Sequence, residues 1–199
     1  MNKLSQVFRI ATHPRALRMA FSGLGVRLSG DDSLGGLTQE ETSAVVRWAS
    51  RSGTRCFLEI GTLFGLTAAA VARKANVRVV AVDNFSWNPF GLTPDQHESF
   101  TRRIVDGCSV ELVRSDAVAY LEALPADIDP STLMVFLDGS HAYEDVKREI
   151  EICIAKGVGT IAGHDFCNKN FGVTRAVRET LGEPDEVAGM CWAVWKKKA

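Results

Sequence analysis

The sequence has no Cys-x-x-Cys pair, no apolar run approaching the roughly 18 residues of a membrane-spanning helix, and no marked excess of either charge. Its five cysteines, Cys56, Cys108, Cys153, Cys167 and Cys191, are odd in number and widely spaced. That pattern argues against a disulfide framework or a zinc finger and fits reduced, buried thiols in a cytoplasmic protein. A net charge of -1 over 199 residues leaves no electrostatic footprint for nucleic acid. Internal repeats, linkers and low-complexity segments are also missing, and the length suits one ordinary domain. Acids are absent from residues 1–28, which carry Lys3, Arg9, Arg15, Arg18 and Arg27. This region lacks the uninterrupted apolar centre of a secretory signal. Pro14 suits the first turn of a helix over residues 15–21, which could pack on its own domain, form a dimer contact or lid, or lie on a membrane surface. We divide the chain into this N-terminal extension, 1–37, and a domain over 38–199; Lys196, Lys197 and Lys198 read as a solvated end.

What is present is an alternation of short apolar runs with helix-forming segments, the pattern of an α/β fold with a mainly parallel sheet. The first unit organises the rest. Cys56–Ile60 is an apolar run short enough for a strand buried on both faces. It turns through Gly61-Thr62-Leu63-Phe64-Gly65, continues as a proline-free helix over 66–76, and returns as a β-branched strand ending at Asp83. Strand, glycine turn, helix, strand and acid form the unit that places a nucleoside-bearing ligand at the carboxyl ends of parallel strands. A carboxylate at Glu59, beside that turn, would repel a pyrophosphate and suit a cationic ligand. The glycine spacing also disfavours a nicotinamide dehydrogenase. In the plainer alternative the glycines only make a tight turn and Asp83 only caps one.

Further elements follow in order. Thr38 and Glu41 form a capping box before a helix whose apolar side carries Val45, Val46, Trp48 and Ala49. After Asp83, residues 84–92 are irregular and aromatic, and Trp87 and Phe90 either roof a ligand or plug the loop. A helix runs from Thr93 and Pro94 to about residue 107. The third strand, near Val110, leads to Ser115-Asp116-Ala117 and a helix that Ser115 or Asp116 would cap. The fourth, Leu133–Leu137, ends in Asp138-Gly139-Ser140-His141, and a helix to about Lys156 follows. The fifth ends in His164-Asp165. A helix over 173–181 and two strands at its end, Glu186–Ala188 and Cys191–Trp195, close the sheet with an antiparallel hairpin.

The residues at 59–65 and 83 resemble the class I S-adenosylmethionine (SAM) dependent methyltransferases, whose first motif is acid-x-Gly-x-x-x-Gly and whose second strand ends in an acid. The resemblance implies a Rossmann-like, seven-stranded sheet with helices on both faces. It implies that Glu59, Gly61, Thr62, Phe64 and Gly65 surround the methionine portion of SAM. Asp83, with Asn84 beside it, would hold the ribose hydroxyls, and Ser115, Asp116 and Ala117 would face the adenine amino group.

Neighbouring fourth and fifth strands would bring Asp138 and His141 to His164 and Asp165, and two carboxylates with two imidazoles are suited to one divalent cation. Alternatively the acids cap strand ends while the histidines satisfy each other. His13 and His97 read as surface residues. Leu137-Asp138-Gly139-Ser140-His141-Ala142-Tyr143 and Gly163-His164-Asp165-Phe166 are similar to the metal-dependent O-methyltransferases of macrolide and sugar tailoring and the cephalosporin hydroxylase-like group, methyltransferase family 24. That similarity implies Asp138 and Asp165 as Mg²⁺ ligands and His141 as general base. His164 replaces a carboxylate; if it ligates, Mn²⁺ and other borderline cations gain over Mg²⁺.

The expected activity is SAM-dependent, divalent-metal-dependent methylation of a hydroxyl on a small molecule such as a sugar, glycoside or natural product. The alternatives are a metal-dependent hydrolase built on the Asp/His cluster and a non-catalytic SAM-binding module. Substrate selection is expected in residues 1–37 and 85–92, with a second copy of the chain completing the pocket in a homo-oligomer.

Overall fold

A computed structural model describes residues 36–87 and 92–195, so the expected N-terminal helix, Phe90 and the C-terminal lysines lie outside the described residues. The elements are α1 (Gln39–Ala49), β1 (Cys56–Ile60), α2 (Leu66–Lys74), β2 (Arg78–Asp83), α3 (Pro94–Ile104), β3 (Val110–Arg114), α4 (Ala117–Glu122), β4 (Leu133–Leu137), α5 (Tyr143–Lys156), β5 (Thr160–Gly163), α6 (Val173–Thr180), β6 (Glu186–Ala188) and β7 (Cys191–Trp195). They form one seven-stranded sheet in the order β3-β2-β1-β4-β5-β7-β6. The first five strands across it are parallel, and β7 pairs antiparallel with β5 and β6. This is the Rossmann-like arrangement that the sequence predicts.

The alternation of side chains along the inner strands builds two cores. Leu58, Ile60, Val80, Val82, Val135 and Leu137 face one side, where α4, α5 and α6 contribute Leu121, Ile150 and Val177. Phe57, Val79, Ala81, Met134 and Phe136 face the other, packed on Val45 and Trp48 of α1 and on Ala68 and Val71 of α2. All five residues of β1 and of β4 are buried, as continuous apolar runs require in a sheet covered on both faces. Strands are added outward in opposite directions from the parallel neighbours β1 and β4, so a crevice opens at their carboxyl ends.

Local chemistry sets the element ends. The Thr38 and Glu41 capping box forms, and a second one, Thr93 with Gln96, starts α3. Helix α3 stops at Ile104, short of residue 107, because the chain turns at Val105 and Gly107 takes φ +72°. Among the described residues, four non-glycine residues adopt positive φ: Leu63, Phe85, Asp165 and Cys167. All four lie in loops leaving the carboxyl ends of β1, β2 and β5, where strained backbone commonly marks function.

Candidate functional site

A cleft of about 960 Å³ opens over the carboxyl ends of the strands, near the upper limit of small-molecule sites. Gly61 sits at its base, and its φ of +82° suits glycine. A Cβ there would lie 2.3 Å from the Gly139 Cα, so β1 and β4 loops meet backbone to backbone. The Gly61 N–H donates to the Val82 carbonyl at 2.9 Å, and the Asp138 N–H donates to the Ile60 carbonyl at 2.8 Å. These bonds tie the turn to both neighbouring strands.

The turn is fixed from outside as well. The Leu63 N–H donates to Asp83 Oδ2 at 2.9 Å, while the Leu63 carbonyl accepts from the Thr101 hydroxyl at 2.6 Å and lies 3.0 Å from His97 Nε2. Asp83 Oδ1 accepts from the Phe85 N–H at 2.6 Å. Each carboxylate oxygen retains lone-pair capacity after these bonds, so two further hydroxyl donors can be accepted. Glu59 is buried under the turn and accepts a hydrogen bond from the Thr62 hydroxyl. Burial, opposed by that bond and reinforced by Asp138 and Asp83, pushes its carboxyl up to about 8. His97 is not a surface residue: it is 1% exposed, packed against Phe64 and Phe85, and part of the cleft lining. Its placement follows from the length of α3, which carries His97 and Thr101 one turn apart toward the Leu63 carbonyl. Burial lowers its proton affinity.

Across Gly139 the cleft becomes charged. His141 Nδ1 lies 3.1 Å from Asp165 Oδ2, and the ring stacks on Phe171 with centroids 4.5 Å apart. His164 Nδ1 lies 3.4 Å from Asp165 Oδ2 and 3.7 Å from Asp138 Oδ1. On its other side Nε2 is 3.4 Å from Glu41 Oε1, an ion pair without good hydrogen-bond alignment. Glu41 Oε1 also accepts from the Met190 N–H at 2.7 Å. Burial opposes a charge on His164, but Asp165, Glu41 and Asp138 outweigh it and hold the ring up to about 10. Burial likewise opposes a charge on Glu41, but His164, the Met190 and Thr38 N–H groups win and bring it to about 2. Asp138 is pushed up to about 7 by burial, with His164 opposing and Asp165 and Glu41 adding to the rise. Burial lowers the proton affinity of His141 against the pull of Asp165.

Every cofactor residue expected from the sequence, Glu59, Gly61, Thr62, Phe64, Asp83, Asn84, Ser115, Asp116 and Ala117, lines this cleft except Gly65, which opens α2 from behind it at φ +72°. Asp116 also caps α4, accepting from the Ala119 N–H at 3.0 Å, so capping and lining coexist. Ligand atoms of Asp138, His141 and Asp165 lie within 4.8 Å of one another, whereas His164 groups with Glu41 and Cys191. The two imidazoles do not satisfy each other; each faces carboxylates. Trp87 lines the cleft and is largely exposed. Among the cysteines, Cys56, Cys153 and Cys191 are buried, but Cys167 is exposed because it follows the left-handed Asp165 in an open loop.

Sequence reasoning assigned Glu41 only to a helix cap, because its partners His164 and Met190 are remote in the chain. Helix α5 held a clearer signal that went unused: Glu149 interrupts the buried stripe Val146, Ile150 and Cys153.

Many solved structures are similar to this chain, among them the following three. The SAH-bound methyltransferase from Podospora anserina aligns over 88% of this chain and 86% of its own, with a TM-score of 0.61 and 15% identity. The Bacillus cereus O-methyltransferase in complex with SAH aligns over 80% and 74%, with a TM-score of 0.57 and 17% identity. A Streptomyces achromogenes O-methyltransferase of tomaymycin synthesis, in complex with SAM, aligns over 73% and 67%, with a TM-score of 0.56 and 17% identity. At these identities the likeness is one of fold. A search of curated proteins found no match. No helix among the described residues is long and apolar enough to cross a membrane. A family model described as a methyltransferase domain matches residues 58–166, from within β1 through Asp165 and Phe166. That match spans more than half of the chain and contains the glycine turn and the Asp/His cluster, and the chain therefore belongs to this methyltransferase-domain family.

Proposed function

We propose that the protein is a SAM-dependent O-methyltransferase acting on a hydroxyl of a small molecule such as a sugar, glycoside or other natural product. The observation that carries this reading is the dyad His141 and Asp165, with Nδ1 and Oδ2 3.1 Å apart, one glycine-to-glycine contact away from the cofactor turn. SAM fits what lies beside that turn: Asp83 oxygens at the end of β2 with capacity for two more donors, in a cleft that the turn residues line. Neighbours of the same fold bind SAM or SAH, which supports the choice of cofactor.

A hydroxyl is a weak nucleophile at neutral pH, so its proton must leave as the carbon-oxygen bond forms. In the tautomer with its proton on Nδ1, which lies 3.1 Å from Asp165 Oδ2, the neutral His141 ring presents the lone pair of Nε2 to that proton. Asp165 orients the ring and stabilises the imidazolium that results. SAM bound in this cleft would supply its methyl group to the acceptor oxygen and leave as SAH with the old bonding pair on sulfur, while His141 would hold the acceptor's proton on Nε2. Phe171, stacked on the ring, limits its rotation and helps exclude water.

A divalent cation, Mg²⁺ or Mn²⁺, fits the donor set of Asp138 and Asp165 with His141 at ligand distance. When bound it would lower the pKa of the acceptor hydroxyl. A cation-free form of the same reaction is favoured by one observation: His164 Nδ1 lies 3.4 Å from Asp165 and 3.7 Å from Asp138, so a protonated ring there would place positive charge beside both carboxylates. A protonated imidazole has no lone pair for a metal, so His164 is a counter-ion in that state and not a ligand. The 38–199 region would hold the catalytic domain, and the N-terminal extension would form a lid or a contact within a homo-oligomer.

Calorimetric titration of SAM and SAH tests the proposal, first with chelator and then with Mg²⁺ or Mn²⁺. Micromolar binding is expected. A gain on adding metal supports the cation at Asp138 and Asp165, and equal binding with equal turnover in chelator supports the His164 form. No binding under any condition would sink the methyltransferase reading for this cleft.

A further inference from the structure

Helix α5 carries an acid where its core-facing stripe calls for hydrocarbon. Val146, Ile150 and Cys153 are buried along that stripe, and Glu149 lies among them at 3% exposure. Buried carboxyls normally have hydrogen-bond partners. Oε2 of Glu149 has none among the described residues. Burial, then repulsion from Asp145 on the same helix and from Asp116 at the cap of α4, pushes the carboxyl up to about 8. It therefore holds its proton at neutral pH and presents an O–H donor and a C=O acceptor side by side.

The location gives that pair a use. Glu149 lines the cleft together with Ser115, Asp116, Ala117 and Val118 after β3 and with Ser140 after β4. Asp116 already spends Oδ1 on the Ala119 N–H. An adenine edge offers an amino donor beside a ring-nitrogen acceptor, the arrangement that planar side-chain amides read in nucleic acids. A protonated carboxyl matches it in the same plane.

We propose that Glu149 reads the purine of the cofactor, its carboxyl accepting from the 6-amino group of adenine and donating to the adjacent ring nitrogen. The proposal rests on the reading of the cleft as a SAM site. It makes Glu149 a determinant of cofactor specificity on α5, on a different element from the glycine turn and the proton-transfer residues.

The test is calorimetry of SAH and of its 6-desamino analogue, with purine in place of adenine, against the wild type, Glu149→Gln and Glu149→Leu. The wild type should prefer SAH by at least about fivefold, the worth of one hydrogen bond in a dry pocket. Glu149→Gln keeps a donor and an acceptor in one plane and should retain the preference. Glu149→Leu should lower the ratio severalfold, to whatever preference Asp116 supplies alone; that share is common to all three proteins and cancels when their ratios are compared. A preference as large in Glu149→Leu as in the wild type overturns the proposal. So does a wild type that binds both ligands alike, which needs no variant to fold. Failure of the wild type to bind SAH at all overturns the cofactor reading itself, and this proposal with it.

Discussion

At the glycine turn the polar groups answer to main chain: Leu63 is held through its N–H by Asp83 and through its carbonyl by His97 and Thr101. Beyond Gly139 they answer to one another, in a chain of opposite charges from Glu41 through His164 to Asp165, which also faces the neutral His141. The first arrangement sets a shape and carries little charge, which suits a ligand bound the same way in every turnover. The second sets protonation states, which suits a step in which a proton moves. Paired buried charges are sensitive to the loss of any member, whereas hydrogen bonds to main chain degrade one at a time.

The largest effect should come from separating the two ends chemically. His141→Ala is expected to lower turnover by roughly 10²–10⁴-fold, the range for a general base, while SAH affinity stays as in the wild type. Rapid-quench turnover beside calorimetry measures both; an equal loss in each would place His141 in cofactor binding. In the wild type the acidic limb of the kcat profile should fall below pH 6.5, because burial lowers the ring's proton affinity and only the neutral ring accepts a proton.

Next in size, Glu41→Ala leaves His164 charged and short of one partner and strips the acceptor from the Met190 N–H. Breaking a buried ion pair in this way costs about 3–5 kcal/mol, to be read by urea denaturation. A loss below about 1 kcal/mol would mean that the Glu41 and His164 charges are not coupled as the distances indicate.

Gly61→Ala tests the shape-setting end. A Cβ at φ +82° and 2.3 Å from Gly139 cannot be seated without backbone movement, so SAH affinity should fall by about 10²-fold, equivalent to the roughly 1–3 kcal/mol of local strain. Smaller again, His97→Ala and Thr101→Val each remove one donor to the Leu63 carbonyl and should weaken SAH about fivefold to tenfold, with kcat at saturation nearly unchanged.

The smallest effect is a slope. The folded carboxyl of Glu149 binds its proton more tightly than its ordinary value of 4.5, near 8, so its share of stability is full below 4.5 and is lost as pH rises through about 8. Glu149→Gln should flatten the fall of Tm across that window; an unaltered slope would put the titrating group elsewhere.

The shape-setting end was legible in the sequence because its rules are local. Glycine spacing, the acid two residues before Gly61 and the acid closing β2 lie within one β-α-β unit, and β1, β4, β6 and β7 take the predicted bounds. His97 escaped because nothing in the sequence near it says which way α3 packs. At the charged end the order of strands predicted that Asp138, His141, His164 and Asp165 would converge, and they do. Their division of labour was not readable. Which face of the His164 ring meets which acid depends on Glu41, brought over by α1, and a capping box already accounted for that residue.

The contact of Gly61 with Gly139 would act, in the proposed reaction, as a spacer of fixed length between donor and base. Side chains at most protein junctions can be exchanged to widen or narrow a gap, but here main chain rests on main chain and there is nothing to trim or extend. In the proposed reaction, diversification toward bulkier or smaller acceptors would thus have to proceed by remodelling the rim, where Trp87 and Phe171 stand exposed, while the reach from the proposed SAM sulfur to the His141 imidazole would be inherited unchanged.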